Sequence, residues 1–561
     1  MPHATGPADL IVDNANVITV DPEVPQARAV AVRDGRIVAV AEQGSLDELA
    51  GVGTKRLDAR RRALVPGFVD THAHLDREGL KYQLPSLAGV KSIADVLERV
   101  RAEVGKRRPG EWVVMMPIGD PPYYWNVPGI LAENRFPTRQ ELDSVSPDNP
   151  VYVKGIWGPW NEPPIISIAN SRALALAAIT RDTLPPWSGV TIEKDENGDP
   201  NGVIVEASNY PTVEHSLMRC VPRFTLEDRA RGLRESMRRY NAAGTTSIYE
   251  GHGLAPEVLR AYKTVHDRGE ATVRSYLVLS PTWKTLYEAE ITMRDWIHYA
   301  SGPGFGDDLL RIGGVFLQLG GNPQVTRVLE QALPFTGWAG FAEHATTYEE
   351  YFALARLAAR HNLRVNSITT AHPADVLRAW TEIDAETPLH GRRWVAVHLR
   401  TISPDQVETM RRLGIHAASI PATHLWKGGR QLLDQPEIGE WSAPYRRLTD
   451  AGITWSIGTD NKPYQPLFSL WSALSRTERE TGRIVGPGQR PDRLEALRAL
   501  TLAGAELCFE ERHKGSITPG KLADFILLDG DPLTCPLEEI PNLSVDLTLL
   551  GGEIVHQAMD I

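Results

Sequence analysis

Between residues 245 and 457 of the 561-residue chain, short runs of β-prone residues recur with helix-length stretches between them, and few folds accept that pattern. The runs include Thr245-Thr246-Ser247-Ile248-Tyr249-Glu250, Val273-Arg274-Ser275-Tyr276-Leu277-Val278, Val315-Phe316-Leu317-Gln318-Leu319, Trp394-Val395-Ala396-Val397-His398 and Ile453-Thr454-Trp455-Ser456-Ile457. Stretches 348–361 and 404–413 have helical character and follow two of the gaps. Strands alternating with helices predict βα units around a parallel sheet. Residues able to do chemistry stand at several strand ends, which is where barrel enzymes carry them, so the expectation is α/β, a (β/α)8 TIM-like barrel.

The two ends read differently. Near the N-terminus, Leu10-Ile11-Val12 and Val17-Ile18 precede Ala29-Val30-Ala31-Val32 and Ile37-Val38-Ala39-Val40, the last pair separated by Asp34-Gly35, a hairpin signal. Near the C-terminus, Phe525-Ile526-Leu527-Leu528 and Leu547-Thr548-Leu549-Leu550 are followed by Gly551-Gly552 and Glu553-Ile554-Val555. Neither end has enough strands to bury a face alone, so one small β-sandwich built from both termini is expected, over residues 1–65 and 510–561. The barrel then occupies 66–509, with a Pro-, Trp- and Gly-rich insertion at about 100–240 over its mouth.

A net charge of -11, with acidic and basic residues interspersed, excludes the basic stripe of a nucleic-acid binder. The three cysteines, Cys220, Cys508 and Cys535, are scattered and odd in number, against a disulfide framework and in keeping with a cytoplasmic protein. The first residues, Met1-Pro2-His3-Ala4-Thr5-Gly6-Pro7, lack the features of an export signal, and no apolar run reaches the length of about 18 residues that spans a membrane. Phosphate-loop and Gly-x-Ser-x-Gly signatures are absent, which removes nucleotide and acyl-serine mechanisms. A barrel of this size often pairs, and a homo-oligomer is compatible with the sequence.

The most informative segment is Pro66-Gly67-Phe68-Val69-Asp70-Thr71-His72-Ala73-His74. Side chains at i and i+2 of a strand share a face, so His72 and His74 form half of a divalent metal site, suited to zinc and also to manganese or iron. The segment resembles the opening strand of the amidohydrolase superfamily. Phe136-Pro137-Thr138-Arg139-Gln140-Glu141-Leu142-Asp143, Ala243-Gly244-Thr245-Thr246-Ser247, Ile457-Gly458-Thr459-Asp460 and Gly515-Ser516-Ile517-Thr518-Pro519-Gly520-Lys521-Leu522-Ala523-Asp524-Phe525 extend the resemblance over nearly the whole chain. They are similar to the branch that contains N-substituted formamide deformylase and YtcJ-like proteins.

The resemblance implies metal-assisted hydrolysis, with Asp460 as the carboxylate beside the metal that shuttles a proton and His398 as a further imidazole ligand. Val397 stands where relatives carry an acidic residue before that histidine. The resemblance also shows departures. Phe316 occupies the position of a metal-bridging lysine, Ile368 that of a strand histidine, and Ile165 that of a histidine ahead of Asn170-Ser171. A binuclear centre is therefore not expected. Tyr249-Glu250-Gly251-His252 and Glu343-His344 offer replacements that could complete a mononuclear site, with Glu250 preferred because a strand-end carboxylate faces the barrel mouth. Lys154, Trp157 and Trp160, preceded by Tyr123, Tyr124 and Trp125, are candidate substrate-binding residues; the alternative is that they pack the insertion onto the barrel.

The expected function is hydrolysis of a non-peptide carbon–nitrogen bond, in an amide, formamide or cyclic amide of a small organic molecule, with one divalent ion, zinc foremost. The alternatives on the same barrel are deamination, C–C hydrolysis or decarboxylation, and a degenerate barrel that only binds.

Overall fold

The computed structural model describes residues 6–160 and 164–558. Its centre is a barrel of eight strands: β1 (Phe68–Asp70), β2 (Thr245–Leu254), β3 (Arg274–Leu279), β4 (Leu310–Phe316), β5 (Val365–Ile368), β6 (Val395–Val397), β7 (His416–Ser419) and β8 (Trp455–Ile457). Each strand pairs in parallel with the next in chain order. Helices cover the outside, so both faces of the sheet are buried. All of β2 is buried.

No regular ladder joins β8 to β1. The Thr71 N–H reaches the Ile457 carbonyl at 3.4 Å, and the Asp460 N–H reaches the His72 carbonyl at 2.7 Å. Gly458 makes this approach feasible, because a Cβ there would stand 2.5 Å from the Cβ of His72.

The helices carry local instructions that agree with their positions. Tyr348–Arg360 opens on a reciprocal capping pair between Thr347 and Glu350. Pro404–Leu413 opens on Ser403 and Gln406 with proline in its first turn, and ends on Gly414 in the left-handed region at φ 68°. Each buries one face, through Tyr351, Leu354, Ala355 and Ala358 in the first and Val407, Met410 and Leu413 in the second.

Two further sheets are made of strands from the chain ends. One contains Asn16–Ile18, Gln26–Ala27, Ala63–Pro66, Phe525–Leu528, Val545–Leu550 and Glu553–Gln557, with Phe525–Leu528 antiparallel to Ala63–Pro66. The other contains Leu10–Asp13, Ala29–Arg33, Arg36–Ala41 and Lys55–Asp58. Asp34 and Gly35, at φ 51° and 71°, form the two-residue turn of its hairpin, a geometry that matches the strand twist. Val12, Val17, Val30, Leu64, Phe525 and Leu547 share one apolar core between the two sheets.

The stretch after β1, irregular in sequence, is built around a five-stranded sheet of Val113–Met115, Val151–Val153, Ile165–Ala169, Val190–Lys194 and Pro200–Glu206. Two of its strands, Val113–Met115 and Val151–Val153, have only three residues, too few to show a period. Helix Leu226–Ala242 then packs on Pro256–Asp267, the helix that follows β2, so the chain has rejoined the barrel wall before residue 240. Among the described residues, no helix is long and apolar enough to cross a membrane.

Candidate metal centre

The C-terminal ends of β1, β2, β6 and β8 converge. His72 and His74 follow β1, His252 lies near the end of β2, and His398 and Asp460 come just after β6 and β8. His398 and Asp460 both have left-handed backbones, at φ 53° and 52°. That conformation costs on the order of 1 kcal/mol for a residue with a Cβ and tends to persist where the surroundings enforce it, commonly at functional sites.

The imidazole nitrogens point at one another and at Asp460. Nε2 of His72 lies 3.1 Å from Nε2 of His398. Asp460 Oδ1 is 3.0 Å from His74 Nε2 and 3.8 Å from His72 Nε2, and Asp460 Oδ2 is 3.8 Å from His398 Nε2. His72, His74 and Asp460 are almost completely buried, and only the His398 side chain, 15% exposed, reaches solvent appreciably. His72, His74 and Asp460 form a group with metal-ligand spacing, as do His72, His252 and His398. Nitrogen and carboxylate donors crowded without apolar spacing suit a divalent transition ion. His252 Nε2 is buried without a hydrogen-bond partner, as an atom reserved for an ion would be.

Backbone and side-chain contacts fix this cluster. The Asp70 carboxylate accepts from the N–H groups of His72 and Thr459 at 3.1 and 2.9 Å and from the Thr459 hydroxyl at 2.5 Å. Burial pushes Asp70 up to about 7, against the three hydrogen bonds that favour its anion. The Asn461 amide brackets His74: its Oδ1 accepts the His74 N–H at 2.9 Å, and its Nδ2 donates to the His74 carbonyl at 3.0 Å. Strand β1 is thus pinned to the Thr459-Asp460-Asn461 turn at both histidines.

Charge within the cluster is organised. Burial alone would raise the Asp460 carboxyl, but Lys462, whose ammonium contacts it directly, and His74, His398 and His72 hold it well below the usual carboxylate range. Burial lowers His398 to about 4 and, with His398 as neighbour, His72 well below the ordinary value, so both are neutral lone-pair donors near pH 7. Burial and Arg77 work to lower His74, and Glu250 with Asp460 more than offset them.

Glu250, expected as a metal ligand, joins His74 and Asp76 in a third group with metal-ligand spacing. Its carboxylate oxygens lie 2.7 and 2.9 Å from His74 Nδ1, on the side of the ring away from Asp460. It therefore orients His74 and leaves Nε2 to face the cluster, an arrangement common behind metal-bound histidines. Ile248 pairs with Asp70, which sets Glu250 abreast of the histidines that follow β1. Arg77 Nη2 sits 3.2 Å from the same Nδ1, and the closer carboxylate makes that nitrogen the proton-bearing one.

The other pair, Glu343-His344, is turned elsewhere. Glu343 accepts from Gln318 at 3.3 Å, and His344 stacks on Trp283 with Nε2 3.2 Å from the Pro281 carbonyl. Phe316 and Ile368 leave β4 and β5 without ligands at their ends.

Of the three candidate substrate-binding residues, only Trp157 approaches the cluster, packed edge-on against Phe341 and lying 5.2 Å from the Arg77 guanidinium. Lys154 is buried in a 2.7 Å ion pair with Glu214, and Trp160 lies against Trp338 and under the Lys81 ammonium. Trp160 belongs to one apolar cluster with Leu80, Trp157, Trp338 and Phe341. Tyr123 and Trp125 stack at 4.1 Å and face Trp426, on the same helical turn as His424, whose ring lies 5.9 Å from His398. Asn461, Lys462 and Arg77 went unnoticed in the sequence; the run Asp460-Asn461-Lys462, polar residues directly after an apolar strand, was the available signal.

Comparison with known proteins agrees with this geometry. Residues 55–556 match the sequence profile described as the amidohydrolase family. N-substituted formamide deformylase of Arthrobacter pascens is 26% identical over 98% of both chains, and the putative amidohydrolase YtcJ of Bacillus subtilis is 24% identical over 96% of this chain and 98% of its own. A crystal structure described as an uncharacterized metal-dependent hydrolase from Pyrococcus furiosus superposes with a TM-score of 0.65 at 21% identity, over 94% of this chain and 100% of that one. A parallel barrel with a His-x-His strand facing a strand-end aspartate, in a chain matched by the profile over most of its length, belongs to the amidohydrolase family of hydrolases.

Proposed function

We propose that the protein is a metal-dependent hydrolase of a carbon–nitrogen bond outside peptides, in an amide, formamide or cyclic amide of a small organic molecule. The observation that carries this reading is the convergence of His72, His74 and His398 on Asp460 at the barrel mouth. The three imidazoles would hold one divalent ion, zinc foremost, with manganese or iron as alternatives. Bound there, such an ion supplies a water acidic enough to ionise near neutrality and polarises a carbonyl oxygen.

The chain's own groups do the rest. Asp460, kept anionic by Lys462, accepts the proton released as water attacks and delivers it to the departing nitrogen. Glu250 holds His74 in the tautomer that exposes Nε2. Trp157, Phe341 and the Tyr123-Trp125-Trp426 stack give the approach an aromatic lining, suited to a flat or apolar substituent.

With β4 and β5 lacking ligands, the donors support one ion rather than two. The composite β-sandwich of residues 1–65 and 510–561 is proposed to brace the barrel, and a cytoplasmic location is proposed from the cysteine pattern.

The test is a screen of metal-loaded protein against formamides, cyclic amides and N-aryl amides, scoring amine, ammonia and carbon dioxide separately. Release of amine with carboxylate supports the reading. On the substrate found, Asp460→Asn should lower kcat by about 100-fold or more, the range of a lost general acid–base group. Unchanged turnover in that variant sinks the role given to Asp460.

A further inference from the structure

We propose that His252 is a ligand of the same ion, a fourth imidazole delivered from β2 that stands in for the donors missing from β4 and β5 and leaves a fifth position for water. This rests on the reading above that His72, His74 and His398 hold a metal.

The geometry is the first argument. The His252 ring centroid lies 5.9, 5.8 and 6.0 Å from those of His72, His74 and His398, so it caps the three from one side at nearly equal distance. With metal–nitrogen bonds of about 2.0–2.1 Å, an imidazole centroid stands about 3.2 Å from the ion it binds, so two ligating rings lie about 5.2 Å apart at a tetrahedral angle and at most about 6.4 Å apart when opposed. The three His252 separations fall below that ceiling, as do the 4.8 Å between His72 and His74 and the 4.5 Å between His72 and His398.

Burial is the second. His252 is 6% exposed and its Nε2 has no hydrogen-bond partner. A histidine serving only as core would leave that nitrogen unsatisfied at a cost of about 1–3 kcal/mol, which a metal bond removes. The ring is held flat against Phe341, 4.1 Å away at 21° between planes, with Phe316 at 4.8 Å on its flank. Phe316, which cannot ligate, thus serves to place a residue that can.

The backbone is the third. The β2–β3 ladder loses register between Glu250 and Leu254, and His252 sits inside that irregularity between two glycines. Gly253 has φ +81°, and a Cβ on it would stand 2.8 Å from Phe316 Cβ; a Cβ on Gly251 would come within 3.3 Å of His72 Nδ1. Bulges re-aim side chains, and this one turns the residue after Glu250 and Gly251 into the mouth. Glu250 and His252 then divide the work: one orients His74 and the other binds.

The experiment compares wild type with His252→Phe, which keeps the stacking on Phe341 but has no lone pair, and with His252→Ala. Zinc affinity is measured by competition with a chromogenic chelator, and cobalt(II) is loaded to read the visible bands that report ligand number. The expected result is a zinc affinity at least about 100-fold weaker in both variants, beyond what loss of an orienting group alone produces, with altered cobalt bands and an unchanged metal-free melting temperature in His252→Phe. Wild-type affinity and bands in a folded variant overturn the inference while leaving the proposed function standing. Wild type that takes up neither metal overturns both. Should neither variant fold, pulsed electron resonance of the wild-type protein loaded with copper(II) counts the imidazoles directly: four support the assignment, three refute it.

Discussion

Replacing Glu250 by glutamine tests whether this carboxylate orients His74 or binds the ion. The carboxylate lies 2.7 Å from His74 Nδ1 at one oxygen and 2.9 Å at the other, with the glutamate fully buried and His74 2% exposed. Glutamine keeps the shape but removes the charge, and it presents an NH2 where one of those oxygens had been. One acceptor can still meet the His74 N–H, but the field that favours the Nδ1-protonated tautomer is lost, and Arg77 beside it loses a neutralising neighbour. Losses for orienting groups of this kind are about 10–100-fold in metal affinity, or about 1.4–2.7 kcal/mol. Glu250→Ala, which leaves a void as well, should sit at or beyond the upper end. Chelator competition with zinc at fixed pH reads the effect, and circular dichroism checks the fold. Unchanged affinity in both variants would refute the orienting role. A loss beyond about 10,000-fold would make Glu250 a ligand after all.

Gly458→Ala places a Cβ 2.5 Å from His72 Cβ and 2.6 Å from its backbone nitrogen, so β1 and β8 must part. Overpacking of this kind costs about 1–3 kcal/mol, and the melting temperature and zinc affinity should fall together; a drop in neither would mean the barrel seam is looser than described. In the inserted sheet, Glu206 is buried, accepts from the Thr212 N–H at 2.6 Å, and is pushed by burial up to about 8. A raised carboxyl binds a proton that the unfolded chain releases, so native stability from this group declines as pH rises from its unfolded value near 4.5 through about 8. Glu206→Gln should therefore gain stability relative to wild type between pH 5 and pH 8, read by denaturant unfolding; a pH-independent difference would contradict the assignment.

The barrel was legible because β-prone runs alternate with helix-length stretches and its helices carry strong caps, as at Thr347 and Ser403. His72, His74, His398 and Asp460 were legible as residues at strand ends, and the structure brings all four together. The facing of side chains across strands was not. Which side of His74 the Glu250 carboxylate meets is settled by side-chain packing, and which way residue 252 turns depends on a bulge. Neither leaves a periodic trace. Lys154 and Trp160 resembled a binding surface because buried ion pairs and aromatic packing use the same residue types. In the inserted sheet, Val113–Met115 and Val151–Val153 are too short to show alternation.

The central claim, that the imidazoles at the barrel mouth hold one ion, is tested most directly by metal content. Protein purified without added metal would be measured by elemental mass spectrometry beside a His72→Ala, His74→Ala double variant shown to be folded. The account predicts about one zinc, manganese or iron per wild-type chain and almost none in the variant. Equal metal in the two, or none in wild type even after reconstitution, would contradict it.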